Sequence, residues 1–278
     1  MRSLLRFRLM SLVVGTVVVG GILIGVSLLT LPINPAGARL SSPAPLDIRV
    51  SAAVTSPLRL IGWNDLGMHC MNESFANLAV LPPFNTMWAQ VVRPGYVPQL
   101  ITQSVQVEYS IVDNTYSAGK TDFWQYANQL FSVTLPVDVG LTGSRLSGTM
   151  DALTSYFRVE GIPLTQYRDS APSVPYPYQL AHLVARDTGT GQVLAETFAV
   201  APVSTEMHCD YCHYDGGVEG IRTGSVETNI LRLHDKENAD DYPSGHTGNL
   251  MGRRPVLCAE CHASNALGAP GVAGLPNL

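Results

Sequence analysis

Cys-x-x-Cys-His occurs twice in the last third of the chain, as Cys209-Asp210-Tyr211-Cys212-His213 and as Cys258-Ala259-Glu260-Cys261-His262. This spacing is the attachment signature of c-type haem. Two thiols two residues apart can each bond one vinyl group of the same porphyrin, and the next residue then aims an imidazole at the iron. A single copy would also suit a redox dithiol or part of a zinc site. Two copies that both end in His point to haem. The surrounding stretch, 203–278, gains Gly, His and acidic residues and is poor in aliphatic side chains. Such a stretch cannot build a large core of its own, and two porphyrins, each a broad apolar plate, would fill that role. The pattern predicts two haem c groups, with Cys209, Cys212, Cys258 and Cys261 as thioether sites and His213 and His262 as proximal iron ligands.

The opposite face of each iron needs a further ligand or an opening. A second His gives a lower reduction potential than a Met thioether. His234 lies on a predicted helix, 227–236, with Ile230 and Leu231 on the same face, and Asp235 could orient its ring. His246 sits between glycines in Ser244-Gly245-His246-Thr247-Gly248, where a loop can reach an iron without strain. These two are the principal distal candidates. His208 adjoins Cys209 too closely to wrap round its own haem, and suits an adjacent haem in this chain or another. His182 reads as a satisfied strand residue. Arg222, Arg232, Arg253 and Arg254 are candidate propionate partners through bidentate hydrogen bonds.

Bacterial c-type haem is attached outside the cytoplasm, and the N-terminus agrees with export. Arg2, Arg6 and Arg8 precede an uncharged apolar run from Leu9 to Leu31, followed by Pro32, Pro35 and the small-x-small triplet Ala36-Gly37-Ala38. Residues 1–38 are therefore a signal peptide or, since the run is long enough to span a bilayer, a membrane anchor. The product is expected in the periplasm or outside the cell. Four of the five cysteines belong to the paired motifs, so a disulfide framework is not indicated. The net charge is −5, and the deficit lies after residue 200, where 5 basic residues face 10 acidic ones. With Lys only at 120 and 236, the chain lacks the basic face that nucleic-acid binding requires. The acidic balance reads as a solvated surface, or as a field that steers cationic partners.

Residues 39–57 read as a linker and 58–202 as a mainly β domain, antiparallel and sandwich-like. Predicted strands are 58–63, 87–93, 104–112, 130–137, 156–159, 179–186 and 192–200. Asp187-Thr188-Gly189-Thr190-Gly191 marks a hairpin turn between the last two. Residues 169–178, rich in Pro and Tyr, read as a loop. Residues 203–278 form the second unit, a small, irregular, partly helical dihaem domain whose tail from Ala263 is expected to be loosely ordered unless it packs on a neighbour.

A second dense segment is Gly62-Trp63-Asn64-Asp65-Leu66-Gly67-Met68-His69-Cys70-Met71-Asn72, followed by Leu81-Pro82-Pro83-Phe84-Asn85. It reads as a structured turn with Trp63 and Met68 in the core and Cys70 buried as a small hydrophobe. The alternatives are a haem ligand at His69, or a separate metal held by Asp65, His69 and Cys70. With 229–235 (Asn-Ile-Leu-Arg-Leu-His-Asp) and 254–264 (Arg-Pro-Val-Leu-Cys-Ala-Glu-Cys-His-Ala-Ser), these segments give the chain a resemblance to a family of exported multihaem c-type cytochromes with a β-rich N-terminal part. The resemblance spans most of the mature chain. It implies extracytoplasmic electron transfer and singles out His69 and His234 as ligand candidates. Many members carry further haem motifs, whereas this chain has two, which leaves open whether other subunits complete the wire.

Three classes of function follow. Two closely attached haems with closed bis-His coordination would make an electron carrier that docks on redox proteins or other cytochrome subunits. A dihaem enzyme such as a peroxidase would need one iron with an open position and an acid–base group beside it. The abundance of spare His argues against that, and no Ser-His-Asp order, phosphate loop or His-Glu-x-x-His segment suggests other catalysis. Head-to-tail stacking of copies would make a filament, with His208 or His69 donated across the boundary.

Overall fold

A computed structural model describes residues 57–65, 67–243 and 248–278. The segments read as signal or anchor and most of the linker fall outside these residues, as does His246. Among the described residues no helix is long and apolar enough to cross a membrane.

The chain is mainly β, with 34% strand against 16% helix. In order the elements are β1 (Arg59–Asn64), β2 (His69–Cys70), β3 (Leu78–Ala79), β4 (Asn85–Arg93), β5 (Gln99–Leu100), β6 (Val105–Ile111), α1 (Phe123–Phe131), β7 (Ser147–Thr149), β8 (Asp151–Ala152), β9 (Phe157–Ile162), β10 (Tyr167–Arg168), β11 (Ala171–Pro175), β12 (Tyr178–Asp187), β13 (Val193–Ser204), α2 (Asp210–His213), α3 (Val226–Glu237) and β14 (Val256–Leu257). One five-stranded sheet runs β1-β4-β9-β8, with β5 also on β4. The other runs β2-β13-β12-β6-β7. Within these two sheets pairing is antiparallel except for the short β2 on β13, and outside them β14 pairs in parallel with β3.

Period-two alternation builds the second sheet. Val105, Val107, Tyr109 and Ile111 of β6 are buried while Gln106, Glu108 and Ser110 between them are not. The inward residues of both sheets join one apolar cluster that includes Leu60, Met87, Phe157, Val107, Leu183 and Val203. Gly62 makes this approach feasible: a Cβ there would lie 2.2 Å from Leu183 Cδ1. The hairpin turn stands where the sequence predicts it. Asp187 Oδ1 accepts from the backbone N–H of Gly189 and Thr190 at 3.0 and 2.8 Å, and Gly191 takes φ +72.

Three local expectations are corrected. Residues 130–137 do not form a strand. Leu130 closes α1, whose buried Phe123, Ala127 and Leu130 recur with helical spacing, and Ser132 ends the helix with φ 55. The apolar alternation beyond it does not track burial, since Val133 and Val137 are exposed. The 169–178 loop contains β11, a Pro-bearing ribbon on β10 of the kind tolerated outside a central sheet. The tail is not loose, because it folds back on the second motif. Val272 donates its N–H to Cys261 O at 2.7 Å, Leu278 donates to Ala263 O at 2.9 Å, and Ser264 is buried.

The two conspicuous segments, 62–72 and 81–85, meet each other. His69 Nε2 lies 2.7 Å from Pro82 O, Asn64 Nδ2 donates to Asn85 Oδ1 at 2.8 Å, and Asn72 Oδ1 accepts from Val80 and Leu81. Met71 is the buried methionine here, while Met68 is 40% exposed and Trp63 lies half-buried against Trp88. This knot carries the C-terminal segment. β13 ends on β2 five residues before Cys209, and β14 pairs with β3 immediately before Cys258.

Candidate functional site

Each Cys-x-x-Cys-His motif forms a single helical turn. His213 and Cys212 donate their N–H groups to Cys209 O at 2.9 and 3.3 Å; His262 and Cys261 donate to Cys258 O at 3.0 and 3.2 Å. Residues i, i+3 and i+4 of such a turn share one side. Cys258, Cys261 and His262 of the second motif line one cleft together, as attachment to one porphyrin requires, whereas of the first motif's thiols and imidazole only Cys209 lines a cleft.

The second motif opens onto an apolar cleft walled by Leu78, Ile230, Leu231, Leu250, Val256 and Leu257. His262 lines it from the motif, and His234 lines it from α3. Their ring centroids are 6.1 Å apart, with planes at 81°. Two imidazoles that grip one iron from opposite sides, each through a bond of about 2 Å, hold their centroids roughly 6 Å apart. The Nδ1 atoms are engaged elsewhere. His262 Nδ1 lies 2.9 Å from Pro276 O, a contact in which the ring must donate, and His234 Nδ1 lies 2.9 Å from Tyr242 Oη. Tyr242 gives its own proton to Asp235 Oδ1 at 2.7 Å, so His234 Nδ1–H is the donor there as well. In both rings Nε2 is the nitrogen that would serve a metal. Second-sphere acceptors on Nδ1 fix ligating imidazoles in this way. The donor set, its spacing and the apolar walls fit a bis-His haem.

α3 positions both motifs. Ser225 caps its N-terminus by accepting from Thr228 N at 3.2 Å. Buried Asn229 donates to His213 O at 2.8 Å and to Asp215 Oδ1 at 2.9 Å, tying the helix to the first motif, and His234 follows five residues later at the second. The helix matches the predicted 227–236 within a residue at each end.

The first motif adjoins a cleft lined by Met207, His208, Cys209, Val226, Glu227 and Ile230 among others. Leu78, Ile230 and Cys258 wall both clefts, so the two sites are neighbours. His208 is exposed, has φ 44 and stacks on Tyr211 at 4.5 Å. Tyr211 and Tyr214 are 71% and 56% exposed. His69 is buried in the strand-rich part with Nε2 on Pro82 O, and burial lowers its pKa below the ordinary histidine value. His182 lies on β12, stacked on Phe198 and 3.1 Å from Glu196.

Three of the motif thiols, Cys209, Cys258 and Cys261, are shifted away from the thiolate. Burial pushes Cys258 up to about 11, with the neighbouring thiols adding to it, and burial also raises Cys209 and Cys261. A reactive dithiol depends on the opposite shift. Among the candidate propionate partners, Arg253 acts electrostatically on Tyr242 and Cys261 at the second cleft and reaches Glu260 at 3.4 Å. Arg254 bonds Met251 O and Asn77 Oδ1, Arg222 packs at Gly216 beside Asp215, and Arg232 is exposed on α3. Among the described residues no three His, Cys, Asp or Glu gather as a metal cluster, Asp65, His69 and Cys70 included. A porphyrin iron takes its equatorial donors from the ring and needs no such cluster.

Sequence reasoning missed Asn229, Tyr242 and Pro276. Asn229 heads the Asn-Ile-Leu-Arg-Leu-His-Asp segment, which was a signal for it. Tyr242 and Pro276 carry no pattern. Comparison with family models, curated proteins and solved structures returns no match.

Proposed function

We propose that this chain carries two covalently attached haem c groups, one at each motif, and transfers electrons outside the cytoplasmic membrane. The observation that carries the reading is the pair His234 and His262, lining one apolar cleft with their centroids 6.1 Å apart and Nδ1 of each ring engaged elsewhere. When bound, each haem supplies a one-electron ferric/ferrous couple. The residues of the chain hold and enclose it. Cys258 and Cys261 would anchor the second group, His262 and His234 would hold its iron, and the aliphatic walls would exclude water. A closed sphere leaves no coordination position for a substrate, which favours a carrier over a peroxidase. The shared wall of Leu78, Ile230 and Cys258 sets the two groups side by side, which suits exchange between them. The strand-rich part serves as a sandwich-like scaffold and the C-terminal segment as the dihaem domain. The exposed tyrosines beside the first motif offer a face for a redox protein or another cytochrome subunit.

A polymer of this chain is the second reading. One observation favours it: His208 is exposed beside Cys209, placed to serve an iron in a neighbouring copy.

The test is the mass and spectrum of the purified, processed protein. Two porphyrin additions are expected, with low-spin optical and electron-paramagnetic signals. The second haem should be inert to carbon monoxide. A polypeptide without porphyrin additions overturns the reading, and a high-spin second haem that binds the gas favours the enzyme.

A further inference from the structure

Tyr242 has no part in attaching a porphyrin, yet it is held more firmly than a surface tyrosine needs to be. It stands between the ring of His234 and the carboxylate of Asp235. His234 Nδ1–H points to its oxygen at 2.9 Å, and its hydroxyl donates to Asp235 Oδ1 at 2.7 Å. Asp235 also accepts the backbone N–H groups of Leu250 at 2.9 Å and Met251 at 3.2 Å, so its charge is fixed in place rather than waving in solvent. The Tyr242 ring is braced from the far side. A Cβ at Gly248, where φ is +57, would come within 3.0 Å of its Cδ2. Asn238 caps α3 by donating its backbone N–H and Nδ2 to His234 O at 3.1 and 3.0 Å, so the helix end bearing His234 is pinned too. Burial, with the adjacent Asp235 carboxylate second, holds the Tyr242 phenol above its ordinary range, and it keeps the proton it gives to Asp235.

We infer that Tyr242 is a positioning residue that relays the negative charge of Asp235 to His234 and thereby lowers the reduction potential of the second haem alone. The inference rests on the bis-His reading above. An acceptor on Nδ1–H pulls that proton, makes Nε2 a stronger donor and favours the ferric over the ferrous state. A tyrosine whose own proton is drawn to a carboxylate is a better acceptor than one bonded to water, because linked hydrogen bonds polarise one another. His262, by contrast, has only a backbone carbonyl, that of Pro276, on its Nδ1. The two axial imidazoles of one haem are thus unequal donors.

The experiment is redox titration of the dihaem protein carrying Tyr242→Phe, followed optically and by electron paramagnetic resonance. One one-electron wave should move to more positive potential while the other stays. The expected size is about a tenfold change in the ferrous-to-ferric ratio at fixed potential, or about 59 mV for one electron. The low-spin signal of that same haem should shift in g-value. Asp235→Asn keeps the shape of the side chain and should move the same wave in the same direction by less. It decides the matter if the Phe variant does not fold. Two attached porphyrins with neither wave displaced in either variant overturn the relay and leave the haem reading standing. Displacement of both waves equally overturns it too, as a general loosening of the domain. Absence of porphyrin from the parent protein removes the reading beneath it, and the relay with it.

Discussion

From Leu58 to Val203, buried apolar side chains of both sheets and of α1 form one continuous cluster, with Phe75, Phe123 and Phe157 fully inside. From Thr205 to the C-terminus the comparable cluster is Leu231 and Leu250 against Leu78, and Leu78 is borrowed from β3. The second region spends its hydrogen-bonding side chains on holding loops in place. Asn229 grips the first motif, Asp235 grips the 250–251 turn, and the tail clasps the second motif through backbone bonds. Where burial of side chains is scarce, folding has to draw stability from elsewhere. The clefts beside Cys209 and Cys258 are where an apolar group would supply it. The difference is between a scaffold that buries a continuous apolar core of its own and a region held mainly by hydrogen bonds around a small cluster, as the haem reading proposed above would require.

The largest effect should come from withholding that group. Cys258→Ala with Cys261→Ala should lose the second porphyrin, and amide exchange in 226–278 should accelerate toward the rate of an unstructured chain. β4, β6, β12 and β13 should keep their protection. Mass spectrometry of exchanged peptides reads this directly. Equal protection of 226–278 with and without the thiols would erase the contrast. Next in size is a cut into the scaffold. Phe123 is fully buried, edge-on to Phe75 at 5.2 Å and to Trp124 at 5.4 Å. Phe123→Ala should cost about 3–5 kcal/mol by denaturant titration. The spectrum of the second haem should be unchanged in the folded variant. A spectral change would mean that the two regions share more of their stability than their separate clusters suggest.

The sequence was most legible where chemistry and local periodicity coincide. Ile230, Leu231 and His234 recur with helical spacing, so α3 could be read, and the Asp187–Gly191 turn announced its hairpin. The alternating strand β6 could be read for the same reason. α1 could not, because Phe131, Val133, Leu135 and Val137 imitate a strand and compete with Phe123, Ala127 and Leu130. In the fold, packing against Phe75 decides the contest. The Cys and His of both motifs were evident from spacing. The partners of their imidazoles were not: Tyr242 and Pro276 reach His234 and His262 through folding of loops that have no period. The dense 62–72 segment was legible as important but ambiguous in role, since a buried His can serve a metal or a carbonyl equally well.

His69 gives the smallest effect and the sharpest division between the regions. Its ring is buried, Nε2 donates to Pro82 O, and burial lowers its pKa from the ordinary 6.5. The folded chain therefore keeps this ring neutral at pH values where the unfolded chain has begun to protonate it. Stability rises with pH wherever the unfolded state binds more protons. The His69 contribution is thus complete above about pH 6.5 and is lost as the pH falls from there toward the lower folded-state value. His69→Gln offers Pro82 an amide donor that does not titrate. The variant should unfold with a flatter pH dependence than the parent between pH 6.5 and the onset of carboxylate protonation, as followed by thermal melts of the strand signal. Its haem spectra should match those of the parent at every pH in that range, because Pro82 O takes the Nε2 of this ring in the folded chain. An altered low-spin spectrum in His69→Gln would return His69 to the list of axial ligands and join the two regions through a bond that their cores do not share.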